Sequence, residues 1–289
     1  MSARPRRLLA VAGTSTEVGK TFVSAAVIDR LVADGWNVEV RKPAQSANPG
    51  EPTDSEVLAA ASGEPHERIC PPNRTYSVAM APPMAAAVLG LTAPTTDELV
   101  DEVEGSWGAL SADVGIVELA GGVASPMAVD GDGADLAATF RPDAVLLVAD
   151  AGLGTINAVR LCLARLDEAL SLSSAAAGAS DGVADTPVLV FMNRYDDAND
   201  LHHRNAQWLA HQDHVVLATG LEELVDWVLS LAPRLCGYCA KAVPDDCDGA
   251  CGPEFDLDRY CVRCGRRLVV SMNPVKAIGR CKVHGLECA

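Results

Sequence analysis

Residues 13–21, GTSTEVGKT, combine residue types and spacing that suit phosphate binding. They lie between an apolar run, residues 8–12, and a second apolar stretch, residues 22–28, which predicts a helix. The backbone N–H groups of such a loop and the amino end of the helix offer donors and partial positive charge to a triphosphate. Lys20 adds a mobile cation, and Thr21 adds a hydroxyl that can bind Mg²⁺. The segment therefore predicts an ATP site.

The spacing of this loop differs from the common pattern G-x-x-x-x-G-K-[ST]. That pattern requires a glycine at position 14, where this chain has Thr14, and the glycine comes one residue earlier, at Gly13. A glycine-containing turn that only starts a helix is the alternative interpretation. Strand, loop, Lys-Thr pair and helix follow in the order that phosphate binding requires, which favours the phosphate loop.

Polar side chains also lie at the ends of other predicted elements. Lys42 follows the strand at residues 38–40, Glu118 ends the strand at residues 114–119, and Asn193 follows residues 188–192, where nucleotide bases often bind. Asp54 begins a helix, where it could be only a favourable first-turn charge. A carboxylate at the end of a buried strand requires a partner, and Mg²⁺ is a suitable one.

The elements that must position these side chains alternate along the chain. Apolar runs predict buried strands at residues 8–12, 38–40, 114–119, 144–149, 188–192 and 215–218. Helical patterns cover residues 21–33, 96–110, 156–172 and 221–231, and the small polar residues 173–186 predict a loose surface loop. The order predicts an α/β fold, a doubly wound parallel sheet of the P-loop NTPase type, which binds ligands at the carboxyl ends of its strands.

Composition limits the partners of this chain. Its 289 residues carry a formal charge of −16, which argues against nucleic acid or an anionic membrane as a general partner. No apolar run approaches the roughly 18 residues of a membrane-spanning helix. The basic residues 1–7 precede an apolar run that is short and leads directly into the phosphate loop, so we expect no export signal and a cytoplasmic location.

The ten cysteines are distributed unevenly. Cys70 and Cys162 are the only two before residue 236, and the other eight follow. Residues 236–289 carry eight Lys and Arg against seven Asp and Glu, so the rest of the chain holds the whole acidic excess. This shift after a helix and a proline predicts two domains, residues 1–232 and residues 233–289.

The spacing of the tail cysteines indicates metal or cluster ligands. Two Cys-x-x-Cys pairs and one Cys-x-x-His provide the four ligands that Zn²⁺ or an Fe–S cluster needs, and ligand chemistry does not decide between the two. A zinc ribbon that only stabilises a tail with too small a core is the alternative interpretation. The predicted ligands are Cys236, Cys239, Cys251, Cys261, Cys264, Cys281 and His284, of which the last four form a zinc-ribbon-like set.

Six motifs of residues 8–232 together resemble the dethiobiotin synthetase family: GTSTEVGKT, RKPAQS, TDSEV, VELAGG, DAGLGTIN and MNR, in the order of the family. The early glycine of the loop is itself a trait of that family. The resemblance implies an ATP- and Mg²⁺-dependent cyclo-ligase that forms the ureido ring of dethiobiotin from 7,8-diaminopelargonate and CO₂. It also implies a homodimer.

The resemblance further implies roles for individual residues. ATP would be held by the loop and by one asparagine near adenine: Gly13, Thr16, Glu17, Val18, Gly19, Lys20, Thr21 and Asn193. Mg²⁺ would be bound by Thr21, Asp54 and Glu118, and the catalytic lysines would be Lys20 and Lys42. The substrate would contact Lys42, Ser46 and Gly121, and, across a dimer interface, Gly154, Thr155, Ile156 and Asn157.

Two departures from the family leave an alternative open. The family usually has Asp where this chain has Ser15, and Gly where it has Leu119. Either change could lower activity, so the alternative is a catalytically decayed domain that carries the metal-binding tail. Partition-type ATPases carry an extra lysine where this chain has Thr14, and a cobyrinate-type amidotransferase needs a glutaminase domain, so both are disfavoured.

The tail has a resemblance of its own. Residues 259–270, RYCVRCGRRLVV, and residues 280–285, RCKVHG, resemble the small cysteine-rich auxiliary protein of actinobacterial biotin synthases. This resemblance implies that the tail assists biotin synthase, which inserts sulfur into dethiobiotin. The two halves of the chain would then serve adjacent steps of one pathway.

Overall fold

The computed structural model describes residues 3–47, 50–109, 112–176, 186–231, 234–243, 251–252, 258–262, 265–272, 277–282 and 287–288. Its strands are β1 (Leu8–Gly13), β2 (Val38–Arg41), β3 (Gln45–Ser46), β4 (Thr75–Tyr76), β5 (Val114–Glu118), β6 (Ala144–Asp150), β7 (Val188–Asn193), β8 (Leu217–Ala218), β9 (Arg234–Leu235), β10 (Ala242–Val243), β11 (Val269–Met272), β12 (Ala277–Arg280) and β13 (Glu287–Cys288).

The helices alternate with the long strands over most of the described chain. They are α1 (Lys20–Ala33), α2 (Asp54–Ser62), α3 (His66–Ile69), α4 (Pro82–Val88), α5 (Thr96–Ser106), α6 (Gly133–Thr139), α7 (Thr155–Ala176), α8 (Asp200–His211) and α9 (Leu221–Ser230), with a 3₁₀ turn at Pro72–Arg74. No helix among the described residues is long and apolar enough to cross a membrane.

The central sheet has six strands in the order β2-β5-β1-β6-β7-β8, and all its neighbours are parallel. Strand β1 is buried along its whole length, and apolar side chains from helices cover both faces of the sheet in two core clusters. Parallel strands buried on both faces require such continuous apolar sequences. The predicted doubly wound sheet is therefore confirmed.

Several predicted bounds were wrong. Helix α5 ends at Ser106, before the predicted end at position 110, which lies outside the described residues. Helix α7 continues to Ala176, so the first part of the predicted loop at residues 173–186 is helical, and residues 177–185 are outside the description. Helices α3, α4, α6 and α8 were not predicted.

The described part of the tail consists of short antiparallel pieces. Strands β9 and β10 pair with each other, and β11, β12 and β13 form a second small sheet. The core cluster found among the described tail residues has three members, Cys261, Leu268 and Cys281. Since so little apolar surface is buried there, other interactions must help to stabilise this region.

Candidate functional site

The loop between β1 and α1 has the backbone of a phosphate cradle. Gly19 adopts φ +92°, and a Cβ added there would overlap Nδ2 of Asn193, so only glycine suits this position. The Asn193 amide donates to the carbonyl of Val18 at 2.9 Å and ties the end of β7 to the loop. A Cβ at Gly13 would lie 2.9 Å from Cδ of Lys20, which accounts for the early glycine.

Lys20 lies inside this loop at the start of α1. Its Nζ donates to the carbonyl of Ser15 at 3.1 Å, and the residue is only 7% exposed. Burial, and then the neighbouring Lys42 ammonium, lower the pKa of Lys20 to about 8. Because burial destabilises this ammonium, an anion such as phosphate that binds beside it stabilises its charged form strongly.

Four polar side chains, Thr21, Lys42, Asp54 and Glu118, converge next to Lys20, and we call them the cation site. Nζ of Lys42 lies 2.7 Å from Oδ2 of Asp54 and 2.8 Å from Oε1 of Glu118. The Thr21 hydroxyl donates to the same Glu118 oxygen at 2.7 Å. The side chains of Lys42 and Glu118 are completely buried, whereas that of Asp54 is 45% exposed.

The charges of the cation site stabilise one another. Burial alone would lower the pKa of Lys42, but the carboxylates of Glu118 and Asp54 raise it above its ordinary value. Burial would likewise raise the pKa of Asp54, but Lys42 holds it below the usual range. Lys42 is therefore a cation at neutral pH and cannot act there as a general base.

Neighbouring contacts fix Asp54 at the amino end of α2. Thr53 caps the helix reciprocally with Glu56, and Asp54 is the first helical residue. The Gln45 amide donates to the Ser55 hydroxyl at 2.7 Å and accepts from the Ser55 amide at 2.9 Å. This pair of bonds connects α2 to the segment that follows β2.

Lys42 is held from the other side by Arg41, the last residue of β2. The Arg41 guanidinium is buried, forms ion pairs of 2.8 Å with Glu39 and with Glu64, and stacks 4.6 Å from the ring centroid of Trp107. Burial lowers the pKa of Arg41, against the effect of these acids. With its neighbour fixed in this way, Lys42 has little freedom to leave the sheet edge.

The cation site has the donor set that Mg²⁺ prefers. Oε2 of Glu118 is buried and has no hydrogen-bond partner among the described residues, which is costly for a carboxylate oxygen. A carboxylate from Asp54 and the hydroxyl of Thr21 lie beside it, and hard oxygen ligands of this kind suit Mg²⁺. The residues therefore fit the ion.

Several predicted site residues line one cleft of about 560 Å³. The phosphate loop contributes Thr16 and Glu17, and the opposite wall contributes Ser46, Asp54 and Gly121. The Ser46 hydroxyl donates to the carbonyl of Met80 at 2.6 Å. The cleft thus joins the loop to Ser46 and Gly121, two of the residues predicted to contact substrate.

The predicted substrate turn at residues 154–157 lies at the start of α7, beyond the carboxyl end of β6. Gly154 has φ +93°, Thr155 is buried, and its hydroxyl has no hydrogen-bond partner among the described residues. Ile156 is half-buried and Asn157 is exposed. The preceding Leu153 is 92% exposed, so an apolar side chain stands in solvent next to this turn.

Sequence reasoning assigned no role to Arg194 or Ser125. Arg194, with φ 57°, donates to the carbonyl of Glu17 at 2.8 Å and pairs with Asp150 at 3.0 Å, so it braces the phosphate loop. Its position directly after Asn193, at the end of a strand, could have indicated a role at the site. The Ser125 hydroxyl accepts from the Gly122 amide at 2.9 Å, and nothing in the sequence marked it.

Three predicted tail ligands come together in the structure. The sulfur atoms of Cys236, Cys239 and Cys251 all lie within 4.8 Å of one another. Backbone amides of Cys239 and Tyr238 lower the pKa of Cys236 to about 6. Cys261 and Cys281 are buried elsewhere in the tail, and the predicted ligands Cys264 and His284 lie outside the described residues.

Comparison with known proteins identifies the family. The family described as "AAA domain" matches residues 7–172, which is more than half of the chain. ATP-dependent dethiobiotin synthetase BioD of Caulobacter vibrioides (strain NA1000 / CB15N) is 38% identical over 186 residues, covering 63% of this chain and 82% of the relative. The chain belongs to the dethiobiotin synthetase family.

A second dethiobiotin synthetase, from Anaeromyxobacter sp. (strain K), is 43% identical over 164 residues, covering 56% of this chain and 71% of the relative. Dethiobiotin synthetases are ligases, so the predicted enzyme class is confirmed. Among solved structures, a plasmid partition protein from Borrelia burgdorferi aligns with 12% identity and a TM-score of 0.47, over 79% of this chain and 95% of that one.

Proposed function

We propose that this protein forms the ureido ring of dethiobiotin from 7,8-diaminopelargonate, CO₂ and ATP. The observation that carries the proposal is the convergence of Lys20, Lys42 and an Mg²⁺-type oxygen set, of which Asp54 also lines the cleft. Family membership supports it, because synthetases from two bacterial genera are 43% and 38% identical to the matched region of this chain.

The proposed reaction proceeds in three steps. One amine of the substrate adds to CO₂ and loses a proton to give a carbamate. A carbamate oxygen then attacks the γ-phosphorus of ATP, and ADP leaves. The second amine attacks the carbonyl carbon of this mixed anhydride and releases a proton to solvent, phosphate leaves with the C–O bond electrons, and the cyclic urea is closed.

The side chains of the site bind and orient these groups rather than exchange protons with them. Lys20 neutralises the transferring phosphate, and Lys42, which keeps its charge at neutral pH, holds the carbamate against it. Thr21, Asp54 and Glu118 would bind Mg²⁺, which when bound supplies positive charge to the phosphate oxygens. Ser46 and Gly121 line the cleft on the substrate side, and Asn193 fixes the loop close to where adenine would bind.

The decayed-domain alternative rests on Ser15 and Leu119. The residue at position 15 contributes a carbonyl to Lys20, and a backbone contact does not depend on side-chain type. Leu119 is buried in the apolar core, next to a Glu118 that keeps its partners. Neither departure removes a member of the proposed site, so we favour an active enzyme.

An assay of ADP release tests the function directly. We expect release by the purified full chain to require both diaminopelargonate and bicarbonate, because the carbamate is the phosphate acceptor. Mass spectrometry of the product should give dethiobiotin. ADP release that is unaffected by either substrate would refute the synthetase proposal, and an absence of release and of product in a folded protein would support the decayed domain.

We further propose that the enzyme acts as a homodimer. The turn at residues 154–157 would bind the remote carboxylate of a substrate held by the partner subunit, since a helix N-terminus favours an anion. The exposed Leu153 supports this arrangement, because an apolar side chain beside such a turn is suited to a subunit interface.

The tail, residues 233–289, is proposed as a separate metal-binding module that assists biotin synthase. Its cysteine cluster supports metal binding, and the motifs around Cys261 and Cys281 support the link with biotin synthase. Every residue proposed for ATP, Mg²⁺ and substrate lies before it in the chain.

Removing the tail gives a test of this division. A chain ending near Pro233 should still make dethiobiotin. Cells that lack the gene and carry this truncated chain should grow when biotin is supplied but not on dethiobiotin alone. Full growth on dethiobiotin would show that the tail has no essential part in sulfur insertion, and loss of dethiobiotin formation would show that the tail completes the synthetase.

A further inference from the structure

The first Cys-x-x-Cys pair of the tail lies in a tight hydrogen-bonded turn. The amide of Cys236 donates to the carbonyl of Lys241 at 2.8 Å, and the amide of Ala240 donates back to the carbonyl of Cys236 at 2.9 Å. Ala240 has φ 60°, a conformation that is unusual for alanine. The turn brings the sulfur of Cys236 to the amide of Tyr238, which donates to it at 3.4 Å.

The same turn occurs again at Cys261. Its amide donates to the carbonyl of Arg266 at 2.8 Å, and the amide of Gly265 donates to the carbonyl of Cys261 at 2.8 Å. Gly265 has φ 65°, at the position that corresponds to Ala240 in the first turn. The tail therefore contains the same backbone turn twice, and each turn has a buried cysteine at its first position.

The distances in the first cluster favour a single ion. Sγ of Cys236 lies 3.4 Å from Sγ of Cys251, and Cys239 completes a group whose sulfur atoms are all within 4.8 Å. Thiolates bound tetrahedrally at about 2.3 Å from one Zn²⁺ lie about 3.8 Å apart. In a four-iron cluster each thiolate binds a different iron, which requires a more widely spread set of sulfurs.

The second turn belongs to a different group. Among the described residues, the thiol cluster consists of Cys236, Cys239 and Cys251. Cys261 and Cys281, each 1% exposed, pack instead with Leu268. Two matching turns that supply two different groups of cysteines argue against one ion shared between both Cys-x-x-Cys pairs.

We propose that the tail contains two separate metal centres, and that the first binds one mononuclear thiophilic ion such as Zn²⁺ through Cys236, Cys239 and Cys251. The second centre is built on Cys261 and Cys281. This inference rests on the proposal that the tail binds metal, and it adds the number of centres and the kind of ion. Each ion stabilises a part of the tail whose described residues form only a small apolar cluster.

Metal content of the full chain tests the proposal. After loading with Zn²⁺ under reducing conditions and removal of the excess, elemental analysis should give two zinc ions per chain. Cys251→Ser and Cys281→Ser should each retain one ion, and the double variant should retain none. Cys162→Ser, a change in α7 outside the tail, is the matched control and should retain both.

If Cys251→Ser disturbs folding, a variant that keeps a metal ligand at position 251 still tests the proposal. Imidazole also binds Zn²⁺, so Cys251→His should keep two ions per chain. One ion per chain that is lost in both single variants would overturn the two-centre proposal. If the chain instead contains iron and an equal amount of inorganic sulfide, and Cys251→Ser loses both, the mononuclear centre is overturned. If the full chain retains no metal at all, the proposal that the tail binds metal is overturned as well.

Discussion

Lys20→Ala should lower ATP-dependent dethiobiotin formation about 100- to 1,000-fold, equivalent to about 3–4 kcal/mol of activation free energy. Lys20 is buried next to the loop that would hold the phosphates, so its charge acts there with little screening by water. The variant should remain folded. Burial is unfavourable for this ammonium, and its one intramolecular hydrogen bond among the described residues goes to the carbonyl of Ser15.

The pKa of Lys20 adds a second readout for the same variant. Phosphate binding favours the charged ammonium, so ATP binding must be accompanied by proton uptake where Lys20 is neutral in the free protein. Affinity for ATP should therefore be constant below about pH 8 and fall as the pH rises above it. Calorimetric titrations at several pH values should show this fall in the wild type, and Lys20→Ala should lack it.

Arg204→Ala is the matched control, because Arg204 is an exposed cation that pairs with Asp200 at 2.7 Å on α8. Such a surface pair contributes little to stability, so this variant should keep wild-type turnover. Near-normal turnover by a folded Lys20→Ala protein would refute the phosphate-loop proposal.

The central sheet could be predicted from the sequence because each long strand is a continuous apolar run. Four helices could not be predicted in this way, and the first of them, α3, has only four residues. Helix α4 begins with two prolines, which are compatible only with a first turn, and α6 begins with Gly133. Helix α8 has a largely polar sequence and buries only Asn205 and Leu209.

The positions of Lys42 and Glu118 could be predicted, because they follow or end β2 and β5, which are neighbours in a parallel sheet. The ion pair between Lys42 and Asp54 could not. It depends on how the segment between β2 and α2 folds back, which the Gln45–Ser55 bonds determine. The bond from Asn193 to Val18 also needed the structure, since it joins the end of β7 to a loop that follows β1.

Lys42→Met should have two opposite effects. Catalysis should fall about 100- to 1,000-fold, since the variant has no cation to hold the carbamate against the γ-phosphate. Mg²⁺ binding in the absence of substrate should become tighter, because the Lys42 ammonium now neutralises the carboxylates of Asp54 and Glu118. The two lysines are thus distinguishable, since Lys20→Ala leaves that ion pair in place.

The effect of Mg²⁺ on thermal stability measures this competition. Without Mg²⁺, Lys42→Met should be less stable than the wild type by about 3–5 kcal/mol, because a buried carboxylate loses its charge partner. Added Mg²⁺ should restore much of this loss by replacing that charge, so the midpoint temperature should rise more, and at lower Mg²⁺ concentration, than in the wild type. Glu118→Gln is the comparison variant, and its midpoint should respond to Mg²⁺ less than that of the wild type. If the midpoint temperature of Lys42→Met rises only at the Mg²⁺ concentrations that the wild type requires, Lys42 does not share the site of the ion.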